Sequence, residues 1–321
     1  MKIGLMADGE LENISVPNNK KTKFGLYLKL TYNSSMSESF TKSGLSIPSI
    51  GLGTGNMYGS SCRRIVQEAL ELGYRHIDGA SMYENEHEVG QGLKDSRVDR
   101  EKVFITTKIN TTGFFPSKGN GPQLKNSDIK KSFEKSLSDL QTEYVDLLLI
   151  HWPIFETNLG DMLEILYRLK DDKKIKEVGV ANFNSQLLNE CSDLGFKNIF
   201  CNQVEYHPFL SQAKLLETMQ DLDVIPIAYC PLCKGDVSRH DVLINLAEKY
   251  SKTPAQITLR WLYQQKVVSI PKTENTYRLK ENIDIFDFEI DNKDMLQIYT
   301  LERNQRIVPN LELNESKYPF D

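Results

Sequence analysis

Asp78 closes the run YRHID and Tyr83 follows five residues later; Lys108 closes VFITTK, and His151 closes VDLLLIH. Each therefore falls at or just beyond the end of a strand-like stretch. A carboxylate, a phenol, an ammonium and an imidazole are the parts needed to lower a tyrosine's pKa and aim its proton at a carbonyl oxygen. Taken singly, each has an ordinary explanation: a turn aspartate, a packed tyrosine, a solvated lysine, a core histidine. Taken together, four such residues at four strand ends point to one reactive rim.

The elements that must carry them recur regularly from Ser39 onward. Strand-like runs appear at SIPSIGLG, RHIDGA, VFITTKI, VDLLLIH, EVGVANF, NIFCNQVEY, VIPIAYC and VVSIPK. Helix-like stretches lie between them: Ile65, Val66, Ala69 and Leu70 share one face, as do Ile129, Phe133, Leu137 and Leu140. Sustained βα alternation requires parallel strands buried on both faces, which accounts for unbroken apolar runs such as VDLLLI. Eight units predict a closed (β/α)8 barrel, a single α/β domain whose chemistry sits where the strands end.

Composition narrows the function classes. The 321 residues are 40% hydrophobic and 26% charged, with a formal net charge of −5, so a broad nucleic-acid footprint is not expected. No membrane-spanning apolar run is present. The five cysteines are scattered and odd in number, which argues against a disulfide framework and for a reducing cytoplasm. Cys230 and Cys233 form CPLC, but no second pair stands at zinc-ligand spacing, so no metal site is expected. The first segment has neither an apolar signal core nor the arginines of a transit peptide. Residues 1–37 are expected to be an extension, within which residues 22–32 could form a strand, and residues 38–321 the barrel.

The segments GYRHIDGASMYENEHEVG, LLLIHWP, GVANF, NQVEYHP, AYCPL and IPKTENTYRLKEN, in this order, resemble the aldo-keto reductase family. The resemblance runs from about Ser39 to the carboxyl terminus. It implies an NADPH-dependent reduction of a small carbonyl substrate in which Tyr83 is the general acid, Lys108 lowers its pKa, Asp78 holds Lys108, and His151 orients the carbonyl. For the cofactor it implies Lys272, Thr273 and Arg278 at a 2′-phosphate and Glu281 and Asn282 at the adenine. Asn182 and Gln203 would lie at the carboxamide and Tyr229 on the nicotinamide ring, with Gly53, Thr54, Asp78, Leu232 and Lys234 completing the site. NADH would be the weaker alternative, and the chain would be a monomer. GLGTGN at Gly51–Asn56 invites a dinucleotide-fold reading instead, but Asn56 stands where that fingerprint needs glycine.

The departures from the family pattern carry expectations of their own. Ala181 replaces a serine or cysteine beside the carboxamide and should loosen the grip on the cofactor. Gly55 and Asn110 stand where many members have tryptophan, while Trp152 is retained, so a more polar mouth lined by Tyr83, His151, Trp152 and Asn110 is expected. The carboxyl-terminal stretch corresponds to the loop that closes the family's pocket. The rival reading is a non-catalytic, cofactor-sensing or structural relative such as a channel β-subunit or a lens crystallin. The intact four-residue set weighs against it.

Overall fold

The computed structural model describes residues 38–115, 119–120, 124–153 and 158–308. Its first element is a hairpin, β1 (Ser39–Lys42) and β2 (Leu45–Pro48), in antiparallel register with Lys42 opposite Leu45. Ser43 and Gly44 both take positive φ, 52° and 79°, the backbone of a two-residue turn that matches strand twist. Lys42 Nζ donates to the carbonyls of Ile199 and Asp223, which immediately precede two barrel strands. The hairpin therefore covers the amino-terminal end of the barrel, away from the predicted rim.

The barrel strands are β3 (Leu52–Gly53), β4 (His76–Asp78), β5 (Phe104–Ile109), β8 (Val145–Ile150), β9 (Ile175–Ala181), β10 (Cys201–Glu205), β11 (Ile225–Tyr229) and β12 (Val268–Ser269). A small antiparallel pair, β6 (Phe114–Phe115) and β7 (Gly119–Asn120), interrupts the sequence after β5. All eight barrel strands pair in parallel, in chain order. A parallel bridge between Ile50 and Ser269, with Gly51 N donating to Ser269 O at 2.9 Å, joins the two ends.

Helices α1 (Gly59–Glu71), α2 (Glu86–Asp95), α3 (Asn126–Asp139), α4 (Leu159–Asp171), α5 (Ser185–Asp193) and α6 (Ala213–Asp221) alternate with the strands. Two helices, α7 (Asp241–Tyr250) and α8 (Pro254–Gln264), precede β12, and α9 (Thr276–Ile283) and α10 (Asn292–Tyr299) follow it. The faces read from sequence are the buried ones: Ile65, Val66, Ala69 and Leu70 on α1, and Ile129, Phe133 and Leu137 on α3 with Leu140 just beyond.

Two apolar cores result. Inside the barrel Ile47, Phe104, Leu147, Leu149, Phe200 and Ile227 pack together; outside it Leu148 and Ile150 join the helix faces. Burial of both faces of β8 is the reason VDLLLI is apolar throughout. Gly179 is required in this interior, since a Cβ there would lie 2.6 Å from Leu149 Cδ2 and 2.7 Å from Cys201 Sγ.

The strands are shorter than their apolar runs suggest. SIPSIGLG divides into β2 and β3, and VVSIPK contributes only Val268 and Ser269, because Pro48 and Pro271 cannot donate to a ladder. The expected strand over 22–32, with the rest of the amino-terminal extension, lies outside the described residues. No helix among the described residues is long and apolar enough to cross a membrane.

Candidate active site

Asp78 is the last residue of β4 and stands beside Thr106 of β5. Lys108, two residues further along β5, shares Thr106's strand face, which carries its side chain over the carboxylate. Lys108 Nζ donates to Asp78 Oδ1 at 2.5 Å, to Gly79 O at 2.7 Å and to Tyr83 Oη at 3.5 Å. Gln203 Nε2 on β10 donates to the other carboxylate oxygen at 2.7 Å. Tyr83 is delivered by a single 3-10 turn, Ser81–Tyr83, that ends on a left-handed Glu84. Ser81 Oγ donates to Lys108 O at 2.9 Å, and Asn85 Nδ2 donates to the carbonyls of Thr54 and Met57, so this loop is fastened to its neighbours. His151, immediately after β8, meets Tyr83 edge to face, with ring centroids 5.6 Å apart.

Burial dominates the electrostatics. It works against the Lys108 ammonium, yet Asp78 and Tyr83 together hold that group above its ordinary value. Burial likewise pushes the Tyr83 phenol upward, and the opposing pull of Lys108 does not offset it. The expectation that Lys108 brings Tyr83 below an ordinary tyrosine is thereby corrected: desolvation of the phenolate is the larger effect. His151 is held well below the ordinary histidine range by burial, with Lys108 adding to the effect, so its imidazole is neutral near pH 7.

Tyr83, His151 and Trp152 line a cavity of about 940 Å³ that continues past Asn182, Gln203 and Tyr229 to Lys272, Thr273, Arg278, Glu281 and Asn282. Gly53, Asp78, Leu232 and Lys234 also face it. Nearly every residue assigned from sequence thus opens onto one space. Asn182 is fixed there: its Nδ2 donates to His151 O at 2.9 Å and its Oδ1 accepts from Tyr229 Oη at 2.8 Å. Four cations, Lys234, Arg239, Lys272 and Arg278, line the cavity of a chain whose net charge is −5, a donor set suited to a polyanionic dinucleotide.

Some assignments change. Asn110 does not line the cavity; it is buried, and its Oδ1 accepts from Thr112 N at 3.2 Å and Thr112 Oγ1 at 2.9 Å. A short amide folds back on its own loop more readily than it reaches a mouth. Thr54 lies behind the wall, donating from both N and Oγ1 to Asp78 O, so it supports the aspartate instead of facing the cofactor space. Lys108 likewise acts from behind Tyr83. Ala181 packs in the inner core beneath Asn182 and does not line the cavity.

Several lining residues carry no readable signal. Cys230 faces the cavity and Cys233 is buried, both as free thiols. Cys230, Cys233, Lys234 and Gly235 have φ values of 51°, 50°, 53° and 96°. CPLCKG is therefore a tightly turned wall, for which Gly235 is the one sequence hint. Lys272 is not free: its Nζ lies 2.6 Å from Glu274 Oε1, and Ser61 Oγ donates to Glu274 Oε2 at 3.0 Å. Arg239 and Val308 come from segments distant in the sequence and could not have been placed without the fold.

Residues 49–303 match the model of the aldo/keto reductase family. A glyoxal reductase of Bacillus subtilis is 39% identical over 268 residues, covering 83% of this chain and 93% of that protein. Among solved structures, the aldose reductase of Schistosoma japonicum superposes with a TM-score of 0.80 at 31% identity, covering 89% of this chain and 99% of its own. A Bombyx mori aldo-keto reductase in complex with NADP gives 0.78 at 28% identity, covering 89% and 99%.

Proposed function

The chain belongs to the aldo/keto reductase family, and we propose that it reduces aldehydes or ketones to alcohols with NADPH, using Tyr83 as the proton donor. The observation that carries this reading is the buried Asp78–Lys108 pair, with Nζ 3.5 Å from the phenol of Tyr83, beside His151 on the wall of a cavity that extends to Lys272 and Arg278.

The cofactor, when bound, supplies the hydride that reaches the carbonyl carbon. Asn182 and Gln203 would hold its carboxamide, Tyr229 its ring, and Lys272, Thr273 and Arg278 its 2′-phosphate. Raised by burial, Tyr83 keeps its proton at neutral pH and gives it up only as negative charge gathers on the substrate oxygen. The resulting phenolate sits beside the Lys108 ammonium, whose own charge is secured by Asp78. His151 Nδ1 is buried with no hydrogen-bond partner, and a buried N–H without an acceptor is more costly than a bare lone pair. The proton of the neutral imidazole therefore belongs on Nε2, which donates to the carbonyl oxygen and orients it.

The test is NADPH consumption across a panel of aldehydes and ketones that includes short α-dicarbonyls, since a relative is a glyoxal reductase. Tyr83→Phe should keep cofactor affinity near wild type and lose roughly 10²–10⁴-fold in turnover, the range for removing a general acid. Retained turnover in that variant would sink the proposed proton route. Tight NADPH binding with no turnover of any carbonyl would favour a cofactor sensor.

A further inference from the structure

Glu205 ends β10, two residues beyond Gln203 and therefore on the same strand face. Its side chain is completely buried, as is that of His207. Oε1 accepts from His207 Nε2 at 2.9 Å and from Ile307 N at 2.5 Å, and Oε2 accepts from Val308 N at 3.0 Å. Two of these three donors are backbone amides from a segment about a hundred residues downstream.

That segment, residues 302–308, leaves α10 without forming a helix or strand. Arg303 N and Gln305 N both donate to Phe209 O, at 3.2 and 3.1 Å, and Ser211 N donates to Glu302 Oε2 at 2.9 Å. Gln212 Nε2 donates to Glu205 O at 2.9 Å. The strap is thus pegged to the turn after β10 and then reaches Glu205, where Val308 becomes part of the cavity wall. Burial disfavours a carboxylate here, but the donors from His207 and from the two strap amides reverse this and hold Glu205 below its ordinary range. Strap and carboxylate need each other. Undocking would leave a buried charge short of two donors, and neutralising the charge would weaken the acceptor that the amides meet.

We propose that Glu205 is a positioning residue: its carboxylate latches the strap 302–308 to the rim, so that Val308 closes one wall and the latch sets the size of carbonyl admitted. The substrate part of this proposal rests on the carbonyl-reductase reading above.

The test uses the full chain. Glu205→Gln keeps the side-chain length but places an amide NH2 against a strap N–H, donor against donor. Trypsin cleavage after Arg303 and Arg306 should then accelerate by about tenfold or more as local opening becomes cheaper. The KM of a bulky aromatic aldehyde should shift by about threefold or more, while kcat for glyoxal stays within about twofold, because Asp78, Tyr83, Lys108 and His151 are untouched. Ile307→Pro removes one amide donor from the other side and should reproduce both effects, whereas Ile307→Ala keeps that amide and should not. The double variant Glu205→Gln with Ile307→Pro should be no worse than Glu205→Gln alone.

Unchanged cleavage at the two arginines in Glu205→Gln would overturn the latch, as would an Ile307→Ala phenotype equal to that of Ile307→Pro. Global loss of folding in Glu205→Gln, with wild-type behaviour in Ile307→Pro, would make Glu205 a core residue only. The protease arm needs no turnover. Faster cleavage in a chain that reduces no carbonyl would keep the latch and remove the substrate reading.

Discussion

Tyr83 is held between burial, which keeps its proton on, and Lys108, which favours taking it off. Because burial is the larger effect, the acid form persists through and above the neutral range. Carbonyl reduction should therefore show a nearly level kcat between about pH 6 and 9, and the reverse alcohol oxidation should rise over the same range. A reductive kcat that falls steeply near neutrality would mean that another group is the acid. At the far end of the cavity, Glu274 occupies the Lys272 ammonium that a 2′-phosphate would need. Lys272→Ala with Arg278→Ala should weaken NADPH far more than NADH, whereas Glu274→Gln should tighten NADPH by about threefold to tenfold and leave NADH unchanged. Dissociation constants for both cofactors, from fluorescence titration, separate these outcomes; equal changes for the two would make the cluster purely structural. Asp78, Tyr83, Lys108 and His151 were legible because strand-end position and residue type coincide. Asn110 was not, because its partner is Thr112 on the same loop, a local hydrogen bond that residue type alone does not specify.

Elements convert those residues into a site through register. Parallel pairing sets Asp78 beside Thr106 and Lys108 beside Leu149, so the ion pair follows from the alignment of β4, β5 and β8. Near the opposite ends of these strands, Asp146 on β8 fixes that alignment. Its Oδ2 accepts from Ile105 N at 2.9 Å and Arg100 Nη2 at 2.9 Å, and Oδ1 lies 2.7 Å from Lys176 Nζ. Asp146→Ala should cost about 1–3 kcal/mol, since Ile105 N–H would be left buried without an acceptor while the two cations can still reach water. A lower urea midpoint with unchanged kcat per folded molecule is the expected result, and an unchanged midpoint would show that the ladder alone sets register. The periodicity of α1 and α3 was legible because an amphipathic helix repeats its signal over three turns. The hairpin was not. Its turn is only Ser43 and Gly44, and β2 runs into β3 through residues that are apolar in both elements.

Across the whole molecule the fold was legible because alternating apolar runs leave few architectures, whereas contacts between distant segments, such as the strap on Glu205, depend on where the barrel closes. The same closure buries His76 on β4. The ring is fully buried, packs edge-on to Phe104 at 5.1 Å and meets Thr106 Oγ1 through Nε2 at 3.0 Å. Gly51 must lack a side chain here, for a Cβ would lie 2.7 Å from Nδ1. Burial lowers the His76 pKa from 6.5 to about 4. An unfolded chain therefore binds a proton on this residue between those values while the folded chain does not, and stability must rise with pH across that window. The contribution is complete above about pH 6.5 and is lost as pH falls toward 4, on the order of 3 kcal/mol if the unfolded histidine is unperturbed. His151, depressed for the same reason, adds to the slope. Urea midpoints at pH 7 and pH 4.5 should fall steeply for the wild type and less steeply for His76→Gln, even though that variant starts from lower stability. Parallel slopes in the two proteins would mean that acid enters through other groups and that the barrel tolerates a charged imidazole in its wall.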